Sequence, residues 1–277
     1  MAEAAPPPKS PLASPEPWDL VRDGYVEELW DQFSLFARSA LELAAPPKNA
    51  DVLDVCTGPG TLAVQAATKA RRVVAVDFSP RMLEELTRRA HAAKLTNIEV
   101  VQADGQSLPL PDAAFDTAFS MFGLIFFPDR GSGFRELKRV LRPGGRVAVS
   151  SWRPFDLVPP VKTAFDTLVE LMPELPFGKS KAPLGESEDF AAELHQAGFD
   201  AVAIHEVSHP QTAASPGAFW GSMAKSTAPF LLLRKRIGEE AWQKLSDQIL
   251  ARLIERFGPG PLTVELKALV GIGTKVP

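Results

Sequence analysis

The sequence predicts a doubly wound α/β fold: a mostly parallel sheet of seven strands, with added helices at both chain ends forming a cap. Three observations carry this. Between residues 51 and 152, five short apolar runs alternate with helical stretches. Those runs are mostly continuous rather than alternating, as in strands buried on both faces under helices. A glycine turn, Gly58-Pro59-Gly60, follows the first run and opens the first helical stretch.

Residues 1–17 hold six prolines among Ala, Ser and Glu and are expected to form a disordered or extended tail, leaving 18–277 as the folded domain. From Trp18 to Ala44 apolar positions recur at three- and four-residue steps, which predicts amphipathic helix in two pieces with Gly24 near the break. Residues 45–152 read as the ligand-binding core. Its strands are expected at Val52–Val55, Val73–Val76, Ile98–Val101, Phe115–Phe119 and Arg146–Ser150, and its helices at Thr61–Ala70, Pro80–Lys94 and Gly133–Leu141. Ser79 is placed to cap the second helix, with Pro80 at its first position. Arg142-Pro143-Gly144-Gly145 stops the third. Farther on, Glu186–Ala197 reads as helix, and Ala201–Val207 and Leu262–Val270 as strands. Two long segments, 153–185 and 208–261, are expected as insertions over the strand ends that build a substrate cap. The second carries helices at Gly217–Arg236 and Glu239–Phe257.

Composition narrows the function classes. With 277 residues, 45% hydrophobic and 23% charged, the chain can bury a full core without staples. A net charge of −4 gives no general attraction for phosphate backbones, so no nucleic-acid partner is expected. One cysteine excludes an internal disulfide or a multi-thiolate metal site. The four histidines lack ligand spacing, so no metal is expected. No apolar run approaches the roughly 18 residues of a membrane span, and the first residues lack a signal-peptide pattern. The expected compartment is the cytoplasm, with no membrane partner and a monomer or homodimer as the assembly.

The chemistry lies at the strand ends. A glycine turn between a buried strand and a helix brings a ligand close to bare backbone. Alone, Gly58-x-Gly60 is weak. Asp77 ends the second strand 23 residues after Asp54, where an acid accepts from ribose hydroxyls. Asp104-Gly105 follows the third strand, where an acid could accept from an adenine amine, and Ser120-Met121-Phe122-Gly123 ends the fourth. A dinucleotide would bring pyrophosphate to the glycine turn, and Asp54 would repel it. S-adenosylmethionine carries a sulfonium and an ammonium instead of phosphate, so the same carboxylate attracts it.

DVLDVCTGPGTLA, VVAVDFSPRML and VVQADGQSLPLPDAAFD resemble the first three motifs of the class I S-adenosylmethionine-dependent methyltransferases, which have a Rossmann-like fold. SMFGLIFFPD and ELKRVLRPGGRVAVSSW resemble the later ones. The resemblance covers roughly residues 20–207 and is nearest to the ubiquinone/menaquinone-biosynthesis-type, small-molecule subgroup. One departure stands out: Cys56 occupies the first glycine position of the usual first motif, its thiol expected to pack rather than react.

The resemblance implies the following roles. Gly58 and Gly60 admit the methionine portion of the cofactor, and Asp54 orients its ammonium through the loop or a water. Asp77 takes the ribose, Phe78 and Met82 flank the adenine, Asp104 accepts from its amine, and Gly105 contacts the ring. Ser120 and Met121 lie at the sulfonium end, and Phe122 faces the substrate. Tyr25 sits where related enzymes fold an N-terminal helix over the cofactor.

The aromatic content of the N-terminal helices and both insertions (Trp30, Phe33, Phe155, Phe165, Phe219, Trp220, Met223, Phe230), with Trp152 at a strand end, suits a medium-sized, partly apolar acceptor. No base announces itself; His205, His209 and Tyr25 are the candidates. Neither the N-P-P-Y element of base-modifying enzymes nor the acid cluster of magnesium-dependent ones is present. Two alternatives remain open at this level: an S-adenosylmethionine-binding protein that transfers no methyl, and an NAD-dependent oxidoreductase.

Overall fold

A computed structural model describes residues 10–175 and 182–276. The strands are β1 (Asp51–Val55), β2 (Arg72–Asp77), β3 (Ile98–Gln102), β4 (Phe115–Met121), β5 (Leu141–Trp152), β6 (Phe199–Ala213) and β7 (Leu262–Lys275). They form one sheet in the order β3-β2-β1-β4-β5-β7-β6. The first five are parallel, and β7 runs antiparallel to both β5 and β6. The strand order reverses between β1 and β4, and ligands of such sheets bind at the carboxyl ends beside that switch.

Nine α-helices dress the sheet among the described residues: α1 (Glu16–Ala44), α2 (Thr61–Ala67), α3 (Pro80–Ala92), α4 (Arg130–Val140), α5 (Pro159–Leu171), α6 (Ser187–Gln196), α7 (Pro216–Ser226), α8 (Ala228–Ile237) and α9 (Glu239–Phe257). On one face, Phe134 and Leu137 of α4 and Phe190 and Leu194 of α6 pack on Leu53, Val74 and Val147. On the other, Ala37, Ala40 and Ala44 of α1 meet Leu62 of α2, Leu86 of α3 and Val73. The small α1 side chains let that helix lie close to the sheet. A third cluster lies beyond the sheet: Ala164 and Leu168 of α5, Phe230 of α8, and Trp242 and Ile249 of α9 close around Leu262 and Val264 of β7. This is the cap, joined to the sheet where the end of β6 pairs with the start of β7, Ala213 against Leu262.

Local signals act as expected at α3, where the Ser79 hydroxyl accepts the Met82 N–H at 3.2 Å, a cap worth about 1 kcal/mol. The predicted continuously buried texture holds at β1 and fails at β3, an edge strand with half-open side chains.

Four expectations are corrected. Within the expected 1–17 tail, residues 1–9 lie outside the described residues, whereas Pro11–Ala13 form a helical turn and α1 already begins at Glu16. Proline costs nothing in a first helical turn, and Leu12 and Trp18 pack against Val21, Met82 and Ala228. Helix α1 is one unbroken element; Gly24 does not break it but admits the backbone of α7, since a Cβ there would overlap the Lys225 carbonyl. The expected helix Gly217–Arg236 is two helices, because Pro229 supplies no N–H and restarts the chain as α8. Finally, β6 runs to Ala213 and takes residues 208–213 from the second insertion; pairing with β7 overrides the weak local pattern. The first insertion holds α5, and its residues 176–181 lie outside the described residues.

Candidate active site

A cavity of about 850 Å³ opens at the carboxyl ends of β1–β5, walled above by α1 and by α5, α7 and α8. Its volume approaches the upper end of the range of about 300–1,000 Å³ usual for small-molecule sites. Cys56, Gly58, Asp77, Phe78, Met82, Asp104, Gly105, Met121, Phe122, Tyr25 and Trp152 all line it. A satellite recess of about 20 Å³ adjoins it, bounded by Asp54, Thr57, Gly58, Thr61 and Tyr25. That is room for one water or one ammonium among several polar partners.

The turn after β1 is built by acids. Asp54, 1% exposed, accepts from the Thr57 hydroxyl at 2.7 Å. Asp77 accepts the Gly58 N–H at 2.8 Å through one oxygen and the Ser79 N–H at 2.9 Å through the other. Burial pushes Asp54 up to about 7 and Asp77 up to about 6. Burial, then the charges of Asp77, Asp54 and Asp104, push the Cys56 thiol well above its usual range. All three carboxylates therefore bear on one point, the side chain at position 56. Asp104 is exposed to the cavity and held by Gln106, whose backbone N–H donates to it at 2.9 Å and whose side-chain amide donates at 3.1 Å. Gly105 must be bare, because a Cβ would stand 2.6 Å from Phe127 and 2.8 Å from Val55.

Among the described lining residues, no cation stands at the glycine turn. Of the described lining residues, the cations are Arg153 and Lys162. Arg153 is tied to the Gly185 carbonyl, Glu186 and Glu206, and Lys162 to Asp166. At the sheet end, burial and then the Asp77 charge push the Tyr25 phenol up, so it stays neutral. Phe122 stacks on Trp152 with centroids 4.0 Å apart; Phe33 tilts against both and Phe36 meets both edge-on.

Several expected site residues lie elsewhere. Gly60 does not face the cavity; its φ of 91° and the nearness of Leu86 make it a packing position between α2 and α3. Ser120 is fully buried beneath the β4 turn, because strand alternation turns Met121 to the cavity instead. Trp220 is core, 3% exposed, its indole N–H donating to Ser246 at 2.6 Å. Its neighbours Phe219 and Met223 line the cavity in its place. Trp30 sits under the Arg89 guanidinium, and Phe230 belongs to the cap core. His205 and His209 are on β6, three strands away from β4, and neither lines the cavity. His209 is a packing residue, 3.1 Å from the Ser39 hydroxyl and edge-on to Phe36.

Other lining residues escaped the sequence reading. Trp18, Leu12 and Phe126 close one side, with Trp18 edge-on to Phe126 at 4.8 Å. Leu12 lay in the presumed tail, and no local pattern announces its return to the strand ends. Gln106, two residues past Asp104, was findable as an amide within reach of that acid.

The donor set suits S-adenosylmethionine: a small recess beside Asp54, further acids, Asp77 and Asp104, at the next strand ends, a bare Gly105 beside the last, and no free cation among the described lining residues. In comparisons with known proteins, residues 52–145 match the family described as "Methyltransferase domain". A demethylmenaquinone methyltransferase of Thermus thermophilus is 39% identical over 130 residues, which is 46% of this chain and 56% of that one. A 27-O-demethylrifamycin SV methyltransferase of Amycolatopsis mediterranei is 31% identical over 159 residues, 57% of this chain and 56% of that one. The chain thus spans about half the length of these curated relatives. The solved structure of the Bacillus halodurans protein BH2331 superposes with a TM-score of 0.61 at 21% identity, covering 87% of this chain and 99% of that one. The fold is that of the Rossmann-like methyltransferases, and the resemblance read from the motifs stands.

Proposed function

We propose that this chain transfers a methyl group from S-adenosylmethionine to a small, partly apolar organic acceptor. The observation that carries the reading is the convergence of Asp54, Asp77 and Asp104 around the glycine turn, with no free cation among the described lining residues. A phosphate-bearing dinucleotide would meet repulsion there; a sulfonium and an ammonium meet opposite charge. The demethylated quinone and rifamycin named for the two relatives suggest a ring-bearing acceptor of similar chemistry.

S-adenosylmethionine supplies an activated methyl on a positive sulfur. Asp77 would accept from the ribose, while its two backbone bonds hold it in place. Phe78 and Met82 would flank the adenine, with Asp104 and Gly105 at its edge. Asp54 would hold the ammonium in the recess beside Tyr25. Met121 and Phe122 would border the sulfonium, and Trp152 and Phe33 would seat the acceptor.

The protein's work is then positioning and exclusion of water, because charge disappears as the methyl moves. The phenol of Tyr25 and the thiol of Cys56 stay protonated at neutral pH and serve as no base. The acceptor must arrive carrying its own nucleophile. A small-molecule partner and a cytoplasmic location accompany this reading; no helix among the described residues is long and apolar enough to cross a membrane.

The test is a titration with S-adenosylhomocysteine and NADH, followed by incubation of cell extract from the source organism with methyl-labelled cofactor. Saturable S-adenosylhomocysteine binding and a labelled organic product are expected. Binding of NADH in its stead would overturn the reading.

A further inference from the structure

Two side-chain-bearing residues at the reaction end hold left-handed backbone, Cys56 at φ 58° and Phe122 at φ 57°. Such conformations persist only where the surroundings impose them. They follow the adjacent parallel strands β1 and β4, and they meet through Gly123. A Cβ on Gly123 would overlap Cys56 Cβ and stand 2.7 Å from its Sγ. Glycine at 123 is therefore a socket, and the side chain at 56 fills it.

The seated side chain limits how far the β4 turn can sink toward β1. Above it, the Phe122 N–H donates to the Ser150 hydroxyl at 2.9 Å, and the Phe122 ring lies 15° from parallel with Trp152. Phe33 and Phe36 brace the pair. Phe122, Trp152 and Phe33 are cavity wall, as are Met121 and the cap residues Phe219 and Met223. Were position 56 glycine, a vacancy would open beneath Gly123 and the turn could settle into it.

We propose that Cys56 is a positioning residue for the acceptor: seated in the Gly123 socket, it sets the height and tilt of the Phe122–Trp152 floor on which the planar, apolar part of the acceptor lies. The inference rests on the methyl-transfer reading only for what occupies the floor. Cysteine serves here through its size, and its protonated thiol takes no part in chemistry.

The test reads Trp152 directly, as the near-ultraviolet circular dichroism difference between each protein and its Trp152→Phe counterpart. Cys56→Gly is expected to lose at least half of that Trp152 signal. Cys56→Ala, which keeps the Cβ, retains most of it. Gly123→Ala loses the signal and lowers Tm, and adding Cys56→Gly restores both, because the overlapping atom is gone. A full Trp152 signal in Cys56→Gly, or failure of Cys56→Gly to restore Gly123→Ala, overturns the proposal. Should Gly123→Ala not fold, the Cys56→Gly single variant decides. Titration with S-adenosylhomocysteine runs alongside: failure of the unaltered protein to bind it would sink the methyl-transfer reading and leave the seating of Cys56 against Gly123 intact.

Discussion

Asp77 Oδ2 accepts the N–H of Gly58 at 2.8 Å, so the acid that ends β2 holds in place the glycine turn that follows β1. One carboxylate thereby holds the glycine turn and, in the proposed function, meets the cofactor.

That double duty separates two substitutions. Asp77→Ala loses the ribose acceptor and the brace, and is expected to weaken S-adenosylhomocysteine by at least about 10- to 100-fold, the worth of one charged hydrogen bond. Asp77→Asn keeps one acceptor oxygen and should fall between. Calorimetric titration of both measures it, and unchanged affinity in Asp77→Ala would remove Asp77 from the site.

The pH dependence follows from the two raised carboxyls. Asp54 at about 7 and Asp77 at about 6 stand above the ordinary carboxylate value of 3.8, so the stability they lend is complete only below about pH 4, is lost progressively as pH rises toward 6 and 7, and levels off above that. The ligand-free Tm should therefore decline from about pH 4.5 to about 7 and level off beyond, and decline less in Asp54→Asn. A cationic ligand favours the ionised acids, so the Tm increase produced by S-adenosylmethionine should grow over the same range. Thermal scans at fixed ligand check this; an increase that shrinks with pH contradicts it.

Gly58 and Gly60 should part company. Gly60→Ala combines φ 91° with an overlap on Leu86 and should cost about 2–4 kcal/mol of stability. Gly58→Ala meets no atom within 4 Å; its φ of 54° costs about 1–2 kcal/mol, and its methyl sits on the cavity wall. Denaturant unfolding should penalise Gly60→Ala more, and S-adenosylhomocysteine titration Gly58→Ala.

Gly24→Ala reverses a general rule. Alanine in a helix interior is ordinarily favoured over glycine by about 1 kcal/mol. Here the new Cβ would overlap the Lys225 carbonyl and push α1 from α7, so Tm should fall. A rise in Tm would show that the two helices separate freely.

Trp220→Ala should cost about 3–5 kcal/mol through the cavity it leaves in the cap core and the stranded Ser246 hydroxyl. Cofactor affinity measured at a temperature where the variant remains folded should not change.

Much of the site was legible because its parts are local. Asp54, Cys56 and Gly58 lie within five residues at one strand end, and Asp77 and Asp104 mark the next two. Burial by helices on both faces makes β1 and β2 apolar on both sides of the strand apart from a few acids and an arginine, so these strands and the turns that end them can be read off the chain. What failed was non-local. Gly24 reads as a helix breaker until the backbone of α7, 200 residues later, is seen lying on it. Trp220 and Phe219 are indistinguishable in sequence and both are buried in the cap core, yet only Phe219 also lines the cavity.

The sequence by itself determined the order of strands and helices, the acid at the end of each of the first two strands and the glycine between them, because each is set by hydrogen bonding and apolar spacing over a few residues. Only the tertiary structure decided which side chains face the cavity, how Leu12 and Trp18 close it, and that the side chain of Cys56 is accommodated by a bare Gly123. Those are matters of close packing between segments far apart in the chain, where displacement by the size of one methyl group exchanges contact for overlap.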